Sequence, residues 1–129
     1  NNRKECIKAI RRAFQFDEKL LVEKFIDAHE LECAVLETKE VRVSPVGEIF
    51  SANSFYDYDA KYENNQSYTE IDPDISTDVK ENIREMAKEV FRILGCSGLA
   101  RIDFFYQEKE NQIYLNEVNT LPGFTEISM

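Results

Sequence analysis

The chain has 129 residues, of which 43% are hydrophobic, and these values fit a single globular domain with one core. Its formal net charge of −9, without a long basic run, disfavours nucleic acid as a partner because phosphate binding needs clustered cations. Three scattered cysteines, no membrane-length apolar run and no signal-peptide pattern predict a cytoplasmic protein with reduced thiols and no membrane segment.

The first half of the chain predicts one helix followed by several strands. Residues 5–16 carry apolar side chains at helical spacing and predict an amphipathic helix. The strands that follow are predicted over residues 20–26, 31–38, 41–43 and 47–54, with residues 27–30 as a short turn. Because no helix separates these strands, we expect an antiparallel sheet.

The next segment predicts a loop, a short strand and a second helix. Residues 55–66 alternate aromatic and acidic side chains and predict a loop that folds over something, and residues 67–71 predict a short strand. Ser76 or Asp78 can cap a helix that ends at Gly95. Its predicted apolar stripe consists of Val79, Ile83, Met86, Val90 and Leu94.

The last thirty residues predict a hairpin that carries polar groups on one face. Two apolar stretches flank the polar break at residues 107–112. With a turn centred near Glu110, Asp103 lies opposite Glu117, Arg101 lies opposite Asn119, and all four side chains share a face. Two carboxylates and an amide oxygen suit Mg²⁺, and the guanidinium suits a phosphoryl group or an oxyanion. A one-residue bulge in either strand would break this register, and ordinary surface charges are the alternative.

Weaker candidates lie earlier in the chain. The strand Glu23-Lys-Phe-Ile26 could form the edge of an adenine pocket, although an ordinary buried strand explains it equally well. Glu30 could accept hydrogen bonds from a ribose, or it could be a solvated turn residue. Lys61 could follow a phosphate from a mobile loop and Tyr62 could close that loop, but most such residues are only solubilising or packed on the domain.

Taken together, five segments that occur in order resemble the C-terminal ATP-grasp region of the D-alanine–D-alanine ligase family. The resemblance covers essentially the whole chain, and its most specific parts are the aromatic loop and the final run. The segments are Val22-Glu-Lys-Phe-Ile26, His29-Glu-Leu-Glu-Cys-Ala-Val35, Phe55-Tyr-Asp-Tyr-Asp-Ala-Lys-Tyr62, Gly98-Leu-Ala-Arg-Ile-Asp103 and Asn116-Glu-Val-Asn-Thr-Leu-Pro-Gly-Phe-Thr125.

The resemblance implies an α+β fold, the ATP-grasp C-terminal domain, with an antiparallel sheet flanked by helices. It implies that residues 1–129 form this domain without the family's N-terminal substrate domain and final C-terminal helix. A chain of this extent would hold much of a nucleotide site and only part of an amino-acid site. We therefore expect it to be inactive by itself.

The resemblance also implies a role for each matching residue. The Mg²⁺ ligands would be Asp103, Glu117 and Asn119. The residues that act on the reacting groups would be Arg101, Lys61, Tyr62, Gly123 through its backbone, and Ser128, which would hold the second substrate's carboxylate. The nucleotide site would comprise Glu23, Lys24, Phe25 and Ile26 at the adenine, Glu30 at the ribose, and Phe55 and Lys61.

The implied activity is a two-step ligation. ATP would phosphorylate the carboxylate of D-alanine, and the amine of a second D-alanine or D-serine would displace the phosphate to give the peptidoglycan dipeptide. Two Mg²⁺ ions would assist, with Mn²⁺ as a substitute, and the full-length protein would be a homodimer. The alternatives are another ATP-grasp carboxylate–amine ligase, a non-catalytic module that binds Mg²⁺ or nucleotide, and a purely structural domain.

Overall fold

The computed structural model describes residues 2–50 and 68–123, which form two helices and six strands. The helices are α1 (Arg3–Ala13) and α2 (Thr77–Ile93). The strands are β1 (His29–Glu37), β2 (Val41–Val43), β3 (Gly47–Phe50), β4 (Tyr68–Ile71), β5 (Leu99–Gln107) and β6 (Gln112–Asn119). Neither described helix is long and apolar enough to cross a membrane.

The six strands form one antiparallel sheet, in which five follow the order β4-β3-β1-β5-β6 and β2 pairs with β1; this confirms the predicted sheet. Strand β1 is central because β5 pairs along one edge, while β2 and β3 share the other edge. Ser44 joins these two short strands: its backbone N–H donates to Ala34, and its hydroxyl accepts from the Ala34 N–H at 3.0 Å.

The core lies between the sheet and α2. Alternate residues of β1 and β5 point towards this helix, as the period of two in a strand requires. They pack with the buried stripe of α2 and with Val46. The buried set is Leu31, Cys33, Val35, Val46, Val79, Ile83, Ala87, Phe91, Ala100, Ile102, Phe104 and Tyr106. The intervening residues of β1 and β5 therefore lie on the opposite face, where the polar side chains are found.

Helix α2 begins and ends where the caps predict, but its buried stripe differs from the predicted one. The Ser76 hydroxyl accepts from the Val79 N–H at 3.3 Å, and Gly95 follows the helix with a φ of +63°. Ala87 and Phe91 continue the i, i+4 line of buried residues. The inclusion of Leu94 was wrong: this residue is 60% exposed because it lies past the last helical turn that faces the sheet.

Helix α1 confirms the first predicted helix with slightly different ends. Asn2 caps it in a reciprocal capping box with Glu5. None of its residues is buried, and Ile7 and the C-cap residue Phe14 are 41% and 54% exposed. The amphipathic pattern therefore forms a helix whose apolar stripe is not covered by the described residues.

The predicted buried strand over residues 20–26 was wrong. This segment has no strand pairing, and Leu21, Val22 and Phe25 are 86%, 80% and 86% exposed. None of the described strands pairs with it, and a run of apolar residues does not form a strand without such pairing. The turn predicted over residues 27–30 was also partly wrong, because β1 already begins at His29.

Candidate active site

The hairpin of β5 and β6 brings the four predicted polar residues onto one face. Asp103 is directly opposite Glu117, and Arg101 is directly opposite Asn119. Both predicted pairings are confirmed. The face on which they lie is the one opposite α2, since the intervening β5 residues are in the core.

The pairing of Asp103 with Glu117 depends on a β-bulge, a feature that was expected to disrupt it. Close to the turn, Phe104 is opposite Leu115, so continued regular pairing would place Asn116 opposite Asp103. The register instead shifts by one residue between Asp103 and Phe104. A bulge at this point returns Glu117 to the face of Asp103. The expectation that a bulge would break the arrangement was wrong, because here the bulge produces it.

A third carboxylate completes a row across three adjacent strands. Glu32 of β1 pairs with Asp103 of β5, which pairs with Glu117 of β6. We call Glu32, Asp103 and Glu117 the carboxylate row. The Arg101 guanidinium lies among them: its Nε is 3.0 Å from Oε2 of Glu32, and its Nη2 is 3.7 Å from Oε1 of Glu117.

Asp103 makes the closest contacts with Arg101. Nε donates to Oδ1 at 2.8 Å and Nη2 donates to Oδ2 at 2.7 Å, which is a bidentate pair. These hydrogen bonds raise the pKa of Arg101 above its already high ordinary value, although burial opposes them. The guanidinium is therefore charged throughout the physiological pH range.

Exposure increases along the row from β1 to β6. The side chains of Glu32, Asp103 and Glu117 are 4%, 10% and 58% exposed, and that of Arg101 is 29% exposed. Burial raises the pKa of Glu32, and the nearby Arg101 opposes this effect. Glu117 is therefore the carboxylate of the row that is most accessible to a ligand from solvent.

The predicted Mg²⁺ ligands offer suitable donors but not a finished cage. Among residues 2–50 and 68–123, no three carboxylate, histidine or cysteine side chains converge as metal ligands. Asp103, Glu117 and Asn119 nevertheless supply oxygens on one face, and Mg²⁺ is usually held by one or two carboxylates with water and phosphate completing its shell. The donor chemistry therefore fits Mg²⁺ bound together with a phosphate.

Glu30 lies on the same sheet face as the carboxylate row. It is two residues before Glu32 in β1, it is exposed, and it pairs with Phe105 of β5 and Ile49 of β3. The reading of Glu30 as a turn residue was wrong. Its position on the face that carries Arg101 and the carboxylate row is consistent with contact to a ribose, and that role stays a prediction.

Those of the other predicted site residues that the structure describes lie outside the strands of the sheet. The segment from Glu23 to Ile26, which includes Lys24 and Phe25, precedes β1 outside the sheet. Gly123 follows β6 by four residues and is exposed. The predictions for Phe55, Lys61, Tyr62 and Ser128 lie outside the described residues.

Glu32 is the residue of the candidate site that the sequence did not predict. A local signal existed, because Glu30 and Glu32 must share a face of any strand that contains both. Its place beside Asp103 depends on the pairing of β1 with β5, strands that are far apart in the sequence. Sequence patterns within either strand do not specify that pairing.

Comparisons with known proteins identify a consistent set of relatives. The family described as D-ala D-ala ligase C-terminus matches residues 1–129. The D-alanine–D-alanine ligase B of Clostridium tetani is 46% identical over 129 residues, covering 100% of this chain and 36% of that protein. The D-alanine–D-alanine ligase of Natranaerobius thermophilus is 47% identical over 128 residues, covering 99% of this chain and 35% of that protein.

Solved structures give the same picture. The VanG D-Ala:D-Ser ligase of Enterococcus faecalis has a TM-score of 0.82 and 38% identity, with 99% of this chain and 37% of that chain covered. The D-alanine–D-alanine ligase of Bacillus anthracis in complex with ATP has a TM-score of 0.77 and 29% identity, with coverage of 99% and 40%. The chain thus spans between about a third and two fifths of the length of these relatives.

Proposed function

Because the chain belongs to the D-alanine–D-alanine ligase family, in which it matches the C-terminal domain and has the ATP-grasp fold, we propose that it forms the ATP-binding part of an ATP-dependent ligase. The ligase joins the carboxyl group of D-alanine to the amine of a second D-amino acid. Residues 1–129 serve as its ATP-grasp C-terminal domain.

The observation that carries this proposal is the register of β5 and β6 beside β1. Asp103, Glu117 and Asn119 share one face with Arg101, and the carboxylates of Asp103 and Glu117 lie 2.7 and 3.7 Å from its Nη2. This arrangement suits an anionic phosphoryl group that arrives with a divalent cation. A structural or acidic surface module would not need a partly buried arginine held by two buried carboxylates.

Each of these residues has a defined task. Asp103, Glu117 and Asn119 would hold Mg²⁺, which supplies charge neutralisation for the phosphoryl group. Arg101 directs its guanidinium at the equatorial oxygens of the group in transfer and then at the tetrahedral oxyanion. Glu30 accepts hydrogen bonds from the ribose hydroxyls. We assign the adenine to residues 23–26 and Phe55, and the phosphates and second substrate to Lys61, Tyr62, Gly123 and Ser128.

The reaction balances in two steps. A carboxylate oxygen of D-alanine attacks the γ-phosphorus, the bond to the β-γ bridging oxygen breaks, and ADP leaves. The free amine of the second amino acid then attacks the acyl carbon, and inorganic phosphate leaves as the amine loses a proton. Both D-alanine and D-serine fit the proposal for the acceptor, since the relatives include a D-Ala:D-Ser ligase. We also propose a cytoplasmic homodimer.

The experiment that tests the function is phosphate release by the gene product that carries this chain. Mg-ATP is supplied with D-alanine alone, then with D-alanine and either D-serine or D-lactate, and the product is identified by mass spectrometry. Release with D-alanine alone is expected. No release under any pairing, from a protein that still binds Mg-ATP, would leave the fold in place and contradict the substrate.

The metal assignment has a separate test. We expect Asp103→Asn and Glu117→Gln each to weaken Mg-ATP binding by about tenfold or more in calorimetric titration, because each removes a charged ligand. Glu108→Gln, in the exposed hairpin turn, is the matched control and should bind normally. Equal binding by all four proteins would count against the metal site.

A further inference from the structure

Glu32 lies against Arg101 from a different strand than the proposed metal ligands. Its Oε2 is 3.0 Å from Nε of Arg101, and its side chain is 4% exposed. Arg101 and Asp103 are on β5, whereas Glu32 is on β1, which pairs with β5 from His29 to Leu36. A carboxylate so buried and so placed is a fixed anchor rather than a surface charge.

Asp103 cannot be an equally constant anchor if it binds a metal ion. Both of its oxygens accept hydrogen bonds from Arg101, at 2.8 and 2.7 Å. A carboxylate ligand lies about 2.0–2.1 Å from Mg²⁺, and the ion repels the guanidinium. Binding the ion through Asp103 therefore weakens its hold on Arg101 at the moment when that arginine is needed.

We propose that Glu32 is a positioning residue, which keeps the Arg101 guanidinium on the reactive face when Asp103 ligates a metal ion. This inference rests on the proposed function for its catalytic consequence. The three carboxylates of the row against one guanidinium leave a formal charge of −2, which one divalent cation offsets. Without Glu32, Arg101 would follow Asp103 or turn to solvent through its exposed side.

The kinetic test uses the whole gene product. In Glu32→Gln we expect kcat to fall by about 10- to 100-fold because the guanidinium is misplaced, with KM for ATP changed less than about threefold. Glu32→Asp keeps the charge and should recover part of the lost kcat. In Arg101→Lys the guanidinium fork is absent, so adding Glu32→Gln to it should cause little further loss.

Glu48→Gln is the matched control. Glu48 is also a buried carboxylate in this sheet, on β3, but it pairs with His29 at 2.7 Å and lies opposite the core residue Leu31. Its kcat should stay within about twofold of the unchanged protein. A kcat of Glu32→Gln within twofold of the unchanged protein, an equal loss in Glu48→Gln, or multiplicative losses in the double variant would each overturn the proposal.

A second test does not depend on ligase activity. The Nε–H signal of Arg101 can be identified in ¹H–¹⁵N spectra by its absence in Arg101→Lys, and its exchange with water can be measured. Asp103→Ala removes both oxygens that accept hydrogen bonds from Arg101 in the unchanged protein. We expect the signal to remain protected in Asp103→Ala, because Oε2 of Glu32 lies 3.0 Å from Nε and can accept its hydrogen, and to exchange at least about tenfold faster in Asp103→Ala/Glu32→Ala.

The two tests separate failure of this inference from failure of the proposed function. If the unchanged protein releases no phosphate, the ligase proposal fails, and the exchange measurement still decides what holds Arg101. If Asp103→Ala alone loses the protection, Glu32 is not the anchor and the inference is overturned. Protection that persists in the double variant overturns it as well, because another group then holds the guanidinium.

Discussion

Arg101 is the cation around which the carboxylate row is arranged, and its charge is required by the burial of its partners. The side chains of Glu32 and Asp103 are only 4% and 10% exposed. Two carboxylates at this depth repel one another and are poorly hydrated, so each depends on the guanidinium between them. The same residue that would act on a phosphoryl group therefore also stabilises the fold.

We expect Arg101→Met to lower the free energy of unfolding by about 3–5 kcal/mol, because it leaves the buried carboxylates without a countercharge. Urea denaturation at pH 7 followed by circular dichroism measures this loss. Arg42→Met is the matched control, since Arg42 is an exposed arginine on the short strand β2. Equal small effects in both variants would show that the pair with Arg101 is not needed for stability.

Cys33 is the second residue for which burial has a measurable consequence. It is fully buried on the core face of β1, and burial raises the pKa of its thiol to about 12, although Arg84 opposes this effect. In the folded protein the thiol is therefore protonated and unreactive at neutral pH. We expect Ellman's reagent to label the exposed Cys6 in the folded state and to label Cys33 only after unfolding.

The stability contribution of Cys33 should fall at alkaline pH. A thiol whose folded pKa is raised contributes stability that is fully present below the unfolded value of 9.0 and is lost as the pH rises towards about 12. Relative to Cys33→Ala, the protein should lose about 2 kcal/mol of unfolding free energy between pH 8 and pH 10.5. Urea titrations of both proteins at the two pH values measure the difference. A constant difference would contradict the raised pKa.

At the scale of elements, the hairpin shows which parts of the site sequence could predict. The apolar flanks identify the two strands, but the predicted pairing of Asp103 with Glu117 assumed regular pairing about Glu110, whereas the observed pairing is reached through the bulge. The bulge between Asp103 and Phe104 was not predictable, because nothing in the local sequence pattern marks a one-residue shift. Glu32 was missed because its place is set by the long-range pairing of β1 with β5.

The bulge makes an unusual prediction about deletions in β6. Removing Asn116 should leave Glu117 opposite Asp103, because the regular pairing from the turn would then reach Glu117 in place of Asn116. Removing Val118 should instead place Asn119 opposite Ile102, on the core face. Cross-strand nuclear Overhauser contacts would establish the register of each variant, and the second deletion should destabilise the domain more. Equal melting temperatures would argue against this assignment of the bulge.

At the scale of the whole molecule, the core consists of the sheet and α2, and the first 28 residues lie largely outside it. The described residues of this segment include none that is buried, and the apolar side chains of residues 21, 22 and 25 are exposed. The apolar composition of residues 20–26 predicted a buried strand. The prediction failed because composition alone does not specify whether a segment pairs with another strand. The α+β sheet itself was predictable from its short strands and well-capped second helix.

This separation between core and N-terminal segment predicts that stability and nucleotide binding can be divided. A chain that begins at Asp27 keeps every strand, α2 and the contact of Gln107 with the Asp27 carbonyl at 3.4 Å. Its unfolding free energy should differ from that of the 129-residue chain by less than about 1 kcal/mol, since only exposed or partly exposed side chains are lost. Its affinity for Mg-ATP should fall at least about tenfold if residues 23–26 contact the adenine.

Ala87→Asp, which places a charge in the core, is the control that should abolish cooperative unfolding. If the shortened chain fails to unfold cooperatively, α1 and the segment after it stabilise the sheet; if it binds Mg-ATP unchanged, the adenine lies elsewhere.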